Sequence, residues 1–340
     1  MKDMKRVVSL LPSATEILAR IGGVEMLVGR SHECDFPIDP RGGLSEIPAI
    51  TGQKTGYDPG SGTDAAAVDA AVRAAMESSS ALYTLDEELL VELAPDVILT
   101  QDLCDVCSID LGSVRAAARR IGEKAGREPE VIALASETIE GVWDDHLLVG
   151  KAVGLAEQAS RAVFEMRSRW IAAESFVNPY TEGPVVGFLE WTDPLFVAGH
   201  WTVQMIERAG GRHPLNECVP RENMGAAAGM QAGQRVAGKS IRVPAEAFAA
   251  TRPDYLIVCP CGLTLEQAVA ETKKLAAETE WWGELPAVRA GRVAVVDGNQ
   301  MFNRPGPRLV DAFEWLVGWL NGREELVSES FPYAALKRPS

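Results

Sequence analysis

The side chains best suited to chemistry in this chain are thiols and one histidine. The 340 residues include six cysteines, and five of them closely follow apolar runs that predict β-strands. The histidine and these five cysteines are His32, Cys34, Cys104, Cys107, Cys259 and Cys261. Thiolate and imidazole suit zinc, copper(I), iron–sulfur clusters and metals held inside a cofactor. We therefore expect a metal-directed role for this set where the fold brings its members together, and a small buried side chain for the sixth cysteine, Cys218.

Apolar strands and amphipathic helices alternate along the chain. Residues 7–11 are an apolar run, a helix is predicted over residues 13–21, and two glycines follow. The second half repeats this order, with an apolar run at 185–189, helical spacing over 201–209 and two further glycines. Short apolar strands that alternate with helices are typical of parallel β-α units with both sheet faces covered. The predicted fold class is α/β, with two doubly wound, mostly parallel lobes.

One long helix is predicted to join the two lobes. Residues 144–174 contain no proline and carry apolar residues at helical spacing. The predicted organisation is an N-terminal α/β lobe over residues 1–143, a linking helix over 144–176 and a C-terminal α/β lobe over 177–340. His146 inside this helix and His213 in a turn are expected to be solvated surface groups.

Polar and aromatic side chains gather where the predicted strands end. Ligands of open parallel sheets bind outside the carboxyl ends of the strands. The segment that begins at Arg30 follows one predicted strand, Trp191 and Asp193 follow another, and Arg304 follows the last. If the carboxyl edges of the two lobes face each other, these groups and the thiols line a single cleft.

Composition and charge exclude several classes of function. Lys and Arg total 33 against 48 Asp and Glu, so the formal net charge is -15 at pH 7. Such a negative field repels phosphate backbones and anionic lipid, which argues against nucleic-acid binding. No apolar run approaches the ~18 residues of a spanning helix, so no membrane insertion is expected. The opening residues predict a first strand and no export signal, so we expect a cytoplasmic protein with reduced cysteines, periplasmic only if the chain is a trimmed precursor.

Four segments resemble the substrate-binding proteins of cobalamin and ferric-siderophore ABC importers. They are Arg-Val-Val-Ser-Leu-Leu-Pro-Ser-Ala-Thr-Glu at 6–16, Val-Gly-Arg-Ser-His-Glu-Cys-Asp-Phe-Pro at 28–37, Leu-Ala-Pro-Asp-Val-Ile at 93–98 and Phe-Asn-Arg-Pro-Gly-Pro-Arg at 302–308. The likeness runs from about residue 6 to residue 320 and leaves an extra loop and helix around residues 51–80.

The resemblance implies a binding protein and not an enzyme. Members of that family hold a corrinoid such as cobalamin, or another metal chelate, between two lobes joined by a rigid helix, and the family precedent is a monomer. The ligand-facing positions that the resemblance implies here are His32, Glu33, Cys34, Tyr83, Trp191, Asp193, Phe302 and Arg304. Aromatic rings can stack on a macrocycle, and an arginine can pair with a carboxylate or phosphate of the ligand. Glu88 and Glu246 fall where the family docks on arginines of an ABC permease.

Two departures from the importers leave three interpretations open. The opening residues predict no export signal, and the chain carries cysteines that the pockets of the family generally lack. The first interpretation is a corrinoid or metal-chelate binding protein whose thiols reach the bound metal. The second is a metal-site protein in which Cys104, Cys107, Cys259 and Cys261 hold zinc, iron or an iron–sulfur cluster. The third is a thiol redox enzyme, which requires a depressed pKa at one thiol of the Cys-x-x-Cys pair and ranks last because no helix is predicted to begin there.

Overall fold

The chain folds into two compact units. The computed structural model describes residues 4–37, 43–54, 64–78, 82–102, 110–220 and 235–336. Unit 1 comprises residues 1–57, 70–136 and 140–165, and unit 2 comprises residues 58–69, 137–139 and 166–340. The three-part division predicted from the sequence stays a prediction.

Unit 1 is built on a four-stranded parallel sheet in the order β2-β1-β5-β6. Its strands are β1 (Val7–Ser9), β2 (Leu27–Arg30), β5 (Val97–Gln101) and β6 (Glu130–Leu134), and a separate antiparallel ribbon consists of β3 (Thr51–Gln53) and β4 (Tyr83–Leu85). The helices in this half of the chain are α1 (Pro12–Arg20), α2 (Ala65–Ser78), α3 (Glu87–Leu93), α4 (Leu111–Ala125) and α5 (Ile139–Val153).

Unit 2 is built on a six-stranded mixed sheet in the order β11-β8-β7-β12-β13-β14. Its strands are β7 (Val186–Thr192), β8 (Leu195–Val197), β11 (Ile241–Arg242), β12 (Tyr255–Val258), β13 (Val293–Val296) and β14 (Tyr333–Leu336), beside a ribbon of β9 (Val219–Pro220) and β10 (Arg235–Val236). The central strands β7, β12 and β13 are parallel, and β8 and β14 flank them antiparallel. The helices are α6 (Ala156–Glu174), whose first part belongs to unit 1, and α7 (His200–Arg208), α8 (Ala245–Ala250), α9 (Leu265–Glu278), α10 (Glu280–Glu284), α11 (Pro286–Ala290) and α12 (Leu309–Asn321).

The central strands are short because each is a buried apolar run. Val97, Ile98 and Leu99 of β5 are fully buried, and all four residues of β13 are buried. Continuous burial is typical of parallel strands that helices cover on both faces. The predicted α/β class is therefore confirmed.

N-terminal caps determine the residue at which a helix begins, and so where the loop before that helix ends. Asp86 precedes α3 and accepts a hydrogen bond from the backbone N–H of Leu89 at 2.9 Å. Thr264 and Gln267 form a reciprocal capping box at the start of α9. Capping satisfies N–H groups that a helix leaves without internal partners, so each helix begins at a defined residue after its strand.

The single long helix predicted over residues 144–174 is wrong, because the structure has two helices there. The first, α5, ends at Val153, and α6 begins at Ala156. Gly154 adopts a φ of +82°, in the left-handed region that favours glycine and ends helices. Gly150 lies so close to Ala159 that a side chain at position 150 would clash.

Two histidines predicted on the surface are buried instead. His146 in α5 has no exposed surface, and its Nδ1 lies 2.7 Å from the carbonyl of Val142. His213 is also buried, with Nδ1 2.9 Å from the carbonyl of Val186. A ring nitrogen bonded to a local carbonyl reduces the cost of burying imidazole, which the sequence pattern did not reveal. Cys218 is buried, as predicted.

No helix in the described part of the chain is long and apolar enough to cross a membrane.

Candidate functional site

The polar residues after β2 form a hydrogen-bonded cluster in unit 1. The Tyr83 hydroxyl donates to Glu33 Oε1 at 2.9 Å, and the Tyr83 ring meets the His32 ring edge-on with centroids 5.2 Å apart. His32 Nε2 lies 4.0 Å from Glu33 Oε1. The β3–β4 ribbon positions this cluster, because Tyr83 begins β4 and Thr51, opposite Leu85 in that ribbon, contacts His32. The structure therefore brings three of the predicted ligand-facing residues together.

Thr51 determines which nitrogen of His32 carries the proton. Its hydroxyl donates to Ser31 Oγ at 3.0 Å, accepts the backbone N–H of His32 at 3.0 Å and lies 2.7 Å from His32 Nδ1. A hydroxyl has one proton, so Nδ1 is the donor in this contact and Nε2 carries the lone pair. Within the described residues, Nε2 has no hydrogen-bond partner.

His32 is held in its neutral form. Burial lowers the pKa of its imidazole, the Glu33 carboxylate opposes that change and the Arg30 guanidinium adds to it. The Nε2 atom is buried, and a neutral imidazole can ligate a metal or accept a hydrogen bond through the Nε2 lone pair.

Cys34 does not share this cluster. Its side chain is buried, and Sγ lies 3.0 Å from the Thr15 hydroxyl of α1. Thr15 also donates to Ser9 Oγ, at the end of β1, at 2.9 Å. The Cys34 thiol therefore contacts a buried pair of hydroxyl groups. Its surroundings are those of a packed structural thiol.

In unit 2, Trp191 and Asp193 lie at the carboxyl end of β7, as predicted. The Trp191 indole N–H donates to the carbonyl oxygens of Asp193 at 3.0 Å and Ala65 at 3.2 Å. Trp191 is half-buried and Asp193 is exposed. The indole edge is therefore engaged, and a ligand would meet the ring through its face.

Glu190 is a half-buried acid at the same strand end that sequence reasoning missed. The pairing of β7 with β8 is irregular between Leu189 and Trp191, and such bulges redirect a side chain. Glu190 Oε1 accepts the backbone N–H of Gly199 at 3.3 Å, and Oε2 accepts the Ser240 hydroxyl. Burial raises the pKa of Glu190 to about 7, against the lowering effect of these two bonds. The available signal was a single acidic residue directly after an apolar run.

The two cysteines that follow β12 have different environments. Cys261 is exposed, whereas Cys259 is fully buried and its thiol donates to the carbonyl of Met301 at 3.6 Å. Burial raises the pKa of the Cys259 thiol well above its ordinary value, and the Glu190 carboxyl raises it further. The protonated thiol is thus favoured, although metal binding needs the thiolate.

The predicted metal-ligand set is only partly described. The described residues contain no group of three or more His, Cys, Asp or Glu side chains placed to hold a metal ion. Cys104 and Cys107 lie outside the described residues, so their metal role stays a prediction.

The segment 302–308 of unit 2 contributes one residue to the hydrophobic core, Phe302, and one half-buried residue, Arg304. Phe302 is fully buried, with its ring edge-on to Phe188 at 5.2 Å and to Trp315 at 6.1 Å. Its packing argues against the predicted ligand contact, so we leave it out of the site. Arg304 is half-buried and donates to Asn299 Oδ1 at 2.9 Å, which fixes one edge of its guanidinium.

Glu88 and Glu246 occupy equivalent places in the two units. Each is the second residue of a short helix, α3 or α8, and each is exposed. Both helices lead to a central parallel strand, β5 or β12. This placement matches the internal repeat seen in the sequence, and the docking role of these residues stays a prediction.

Comparisons with known proteins agree with this fold. The family profile described as "Periplasmic binding protein" matches residues 7–299. A periplasmic heme binding protein from Pseudomonas aeruginosa is 19% identical with a TM-score of 0.63, covering 99% of each chain. The periplasmic vitamin B12 binding protein BtuF of Vibrio cholerae is 18% identical with a TM-score of 0.59, covering 94% of this chain and 98% of its own. The periplasmic heme-binding protein RhuT from Roseiflexus sp. RS-1 is 20% identical with a TM-score of 0.62, covering 94% and 98%.

A search of curated protein sequences finds no match. At the identities of the structural neighbours, the likeness establishes the fold and leaves the ligand to be argued from the residues of this chain.

Proposed function

The chain belongs to the periplasmic binding protein family, as the resemblance predicted, and on that premise we propose that it binds a metal tetrapyrrole, either a corrinoid or a heme, without catalysing a reaction. The observation that carries this proposal is the Nε2 lone pair of His32, which no described residue engages. A planar chelate with an exchangeable axial position is the ligand class that such a nitrogen recognises.

Unit 1 supplies the metal-directed group. His32 presents a neutral imidazole, and Thr51 orients it through Nδ1, an arrangement that is typical of metal-binding histidines. The Tyr83 hydroxyl and the Glu33 carboxylate lie beside it and offer a second oxygen ligand or hydrogen-bond partners for ligand side groups.

Unit 2 supplies groups suited to the periphery of a macrocycle. The face of Trp191 can stack on a conjugated ring, and the Arg304 guanidinium can pair with a carboxylate or phosphate. Asp193 is exposed next to Trp191 and can accept hydrogen bonds from ligand amides. We keep Cys34 and Phe302 out of the proposed contacts because both side chains are buried.

The proposed partner is an ABC permease, contacted through Glu88 and Glu246. Their exposure and their equivalent positions support this proposal. The cytoplasmic location predicted from the opening residues stays a prediction, which fractionation of native cells would test.

The test is an absorption titration of the purified protein with hemin and, separately, with aquocobalamin. We expect one of the two to bind with spectral changes that mark imidazole coordination. His32→Ala should weaken binding about 100-fold. Thr51→Val removes the partner of Nδ1 together with the hydroxyl's bonds to the His32 backbone N–H and to Ser31, and it should weaken binding about tenfold. His200→Ala removes another partly exposed histidine and should leave the coordination spectrum in place.

The outcomes separate the interpretations. Binding of hemin or aquocobalamin identifies the ligand class, and unchanged affinity in His32→Ala contradicts axial ligation by His32. Absence of binding, together with stoichiometric zinc or iron in anaerobically purified protein, would favour the cysteine metal site instead.

A further inference from the structure

The first residues of α2 are fastened to unit 2 by a set of contacts that we call the clip. It consists of Asp64, Ala65, Glu271 and Lys274. Ala65 is fully buried, and its backbone N–H donates to Glu271 Oε2 at 3.3 Å. Asp64 Oδ1 lies 3.2 Å from Lys274 Nζ. Residues 64–69 group with unit 2, so all four residues of the clip belong to the same compact unit.

The chemistry of the clip is that of a built contact. The N–H of Ala65 is one of the groups that a helix leaves without internal partners, and a carboxylate at a helix N-terminus is favoured by the helix dipole. Glu271 is only 4% exposed, although a carboxyl is costly to bury without hydrogen bonds. Its bond to Ala65 provides one, which explains why an acid lies inside this face of α9.

The clip contacts Trp191 through the backbone carbonyl of Ala65. The carbonyl oxygen of Ala65 accepts the Trp191 indole N–H at 3.2 Å, and the carbonyl of Asp193 accepts the same N–H at 3.0 Å. Two acceptors on one donor restrict rotation of the indole in its plane and hold one edge of the ring away from a ligand. Trp191 is partly buried against the hydrophobic core of unit 2, and the orientation of its ring thus depends on Ala65.

We propose that the clip is a positioning element for ligand binding, in which Glu271 and Lys274 hold Ala65 so that its carbonyl fixes the Trp191 indole in the orientation that stacks on the ligand. This inference rests on the proposed function. It assigns a role to Asp64 and Ala65, which lie in the stretch that the family resemblance left unmatched. Ala65 and Glu271 are positioning residues, since Trp191 alone would touch the ligand.

The affinity test is a double-mutant cycle with the tetrapyrrole that the wild-type protein binds, hemin or aquocobalamin. Glu271→Ala should weaken binding roughly fivefold through loss of the clip. Trp191→Phe, which keeps an aromatic ring but has no N–H, should weaken it to a similar extent. The double variant should be no weaker than the weaker single variant, because both changes break one chain of contacts.

Glu278→Ala is the matched control. It removes a carboxylate two turns later in the same helix, one whose charge acts on Glu271 and Lys274 while the Ala65 N–H bonds to Glu271, so it controls for the loss of a negative charge near the clip. We expect its affinity to equal that of the wild type. Lys274→Met removes the exposed ion pair to Asp64 and a positive charge that acts on Glu271. It leaves the bond from Ala65 to Glu271 in place, so it should have a smaller effect than Glu271→Ala and provides a second variant in case Glu271→Ala misfolds.

A measurement without ligand keeps this inference separable from the proposed function. The indole N–H resonance of Trp191 in a ¹⁵N-labelled protein is identified by its absence in Trp191→Phe. Its hydrogen exchange should accelerate about tenfold in Glu271→Ala and not in Glu278→Ala.

Unchanged exchange in Glu271→Ala would overturn the positioning role. If the loss of affinity in the double variant equalled the product of the losses in the two single variants, the two residues would act independently, and the role of the clip in ligand binding would be overturned. Failure of the wild-type protein to bind either tetrapyrrole would overturn the proposed function and the affinity role of the clip, while the exchange result would still decide whether the clip positions Trp191.

Discussion

The strand ends of unit 1 and unit 2 use polar residues in opposite ways. In unit 1, His32, Glu33 and Tyr83 form a partly exposed network, and its central nitrogen, His32 Nε2, is buried without a hydrogen-bond partner among the described residues. In unit 2, the strand-end acid Glu190 and the thiol of Cys259 are turned inward and bonded to neighbouring loops. The accessible groups there are an aromatic face and a guanidinium. In the function that we propose, unit 1 therefore supplies the metal-directed group, and unit 2 supplies groups for the rim of the ligand.

The largest contrast should appear in thiol reactivity. Cys261 is exposed, whereas Cys34 and Cys259 are buried and can be alkylated only after local opening. We expect iodoacetamide to modify Cys261 more than about 100-fold faster than Cys34 or Cys259 in the native protein. Peptide mass mapping over time measures each thiol separately. Equal rates in guanidinium chloride serve as the control, and rapid native alkylation of Cys259 would contradict its buried placement.

Glu190 should make the stability of unit 2 fall as the pH rises through 7. The pKa of Glu190 is about 7 in the folded protein against an ordinary 4.5, so the folded state binds its proton more strongly than the unfolded state does. Its contribution is fully present below pH 4.5 and is lost as pH rises through 7, which amounts to about 3 kcal/mol. Glu190→Gln mimics the protonated acid, so at pH 8 it should be more stable than the wild type, and at pH 4.5 similar.

Denaturant unfolding followed by tryptophan fluorescence measures this effect. Seven of the eight tryptophans lie in residues 166–340, so the signal reports chiefly on unit 2. A Glu190→Gln variant that is less stable than the wild type at pH 8 would show that the charged carboxylate is the stabilising form.

The sequence predicted the two regions unequally, for physical reasons. The strands and their order follow from local apolar runs, and His32 and Glu33 were located because they directly follow such a run. Thr51 was missed because its contact with His32 spans 19 residues and depends on the β3–β4 ribbon. Phe302 was predicted to face the ligand from the family resemblance, which carries no information about how its side chain packs. Its φ of +59° and its packing on Phe188 became evident only in the fold.

The proposed pairing of Arg304 with a carboxylate of the ligand can be tested by comparing ligands that differ in charge. Arg304→Ala should weaken binding of hemin about tenfold through loss of a pair with a propionate. Binding of hemin dimethyl ester, in which the propionates are neutral, should be affected far less by the same change. Arg242→Ala, at an exposed arginine of the edge strand β11, controls for net charge. Equal losses for hemin and its ester would remove Arg304 from carboxylate recognition.

The smallest effect is expected from removing the Tyr83 hydroxyl, which donates to the Glu33 carboxylate in unit 1. Tyr83 holds the Glu33 carboxylate at 2.9 Å, while that carboxylate lies 4.0 Å from His32 Nε2. In Tyr83→Phe the carboxylate is free to approach the imidazole, and since Glu33 raises the pKa of His32, that pKa should move upward. Metal ligation needs the neutral imidazole, so the acid limb of the affinity profile should shift to higher pH, with only about a threefold loss of affinity at pH 8. Titrations of wild type and Tyr83→Phe between pH 5 and 8 measure this shift. An acid limb that stays in place, or moves to lower pH, would mean that Glu33 does not tune His32 and that the open network of unit 1 is a set of independent contacts.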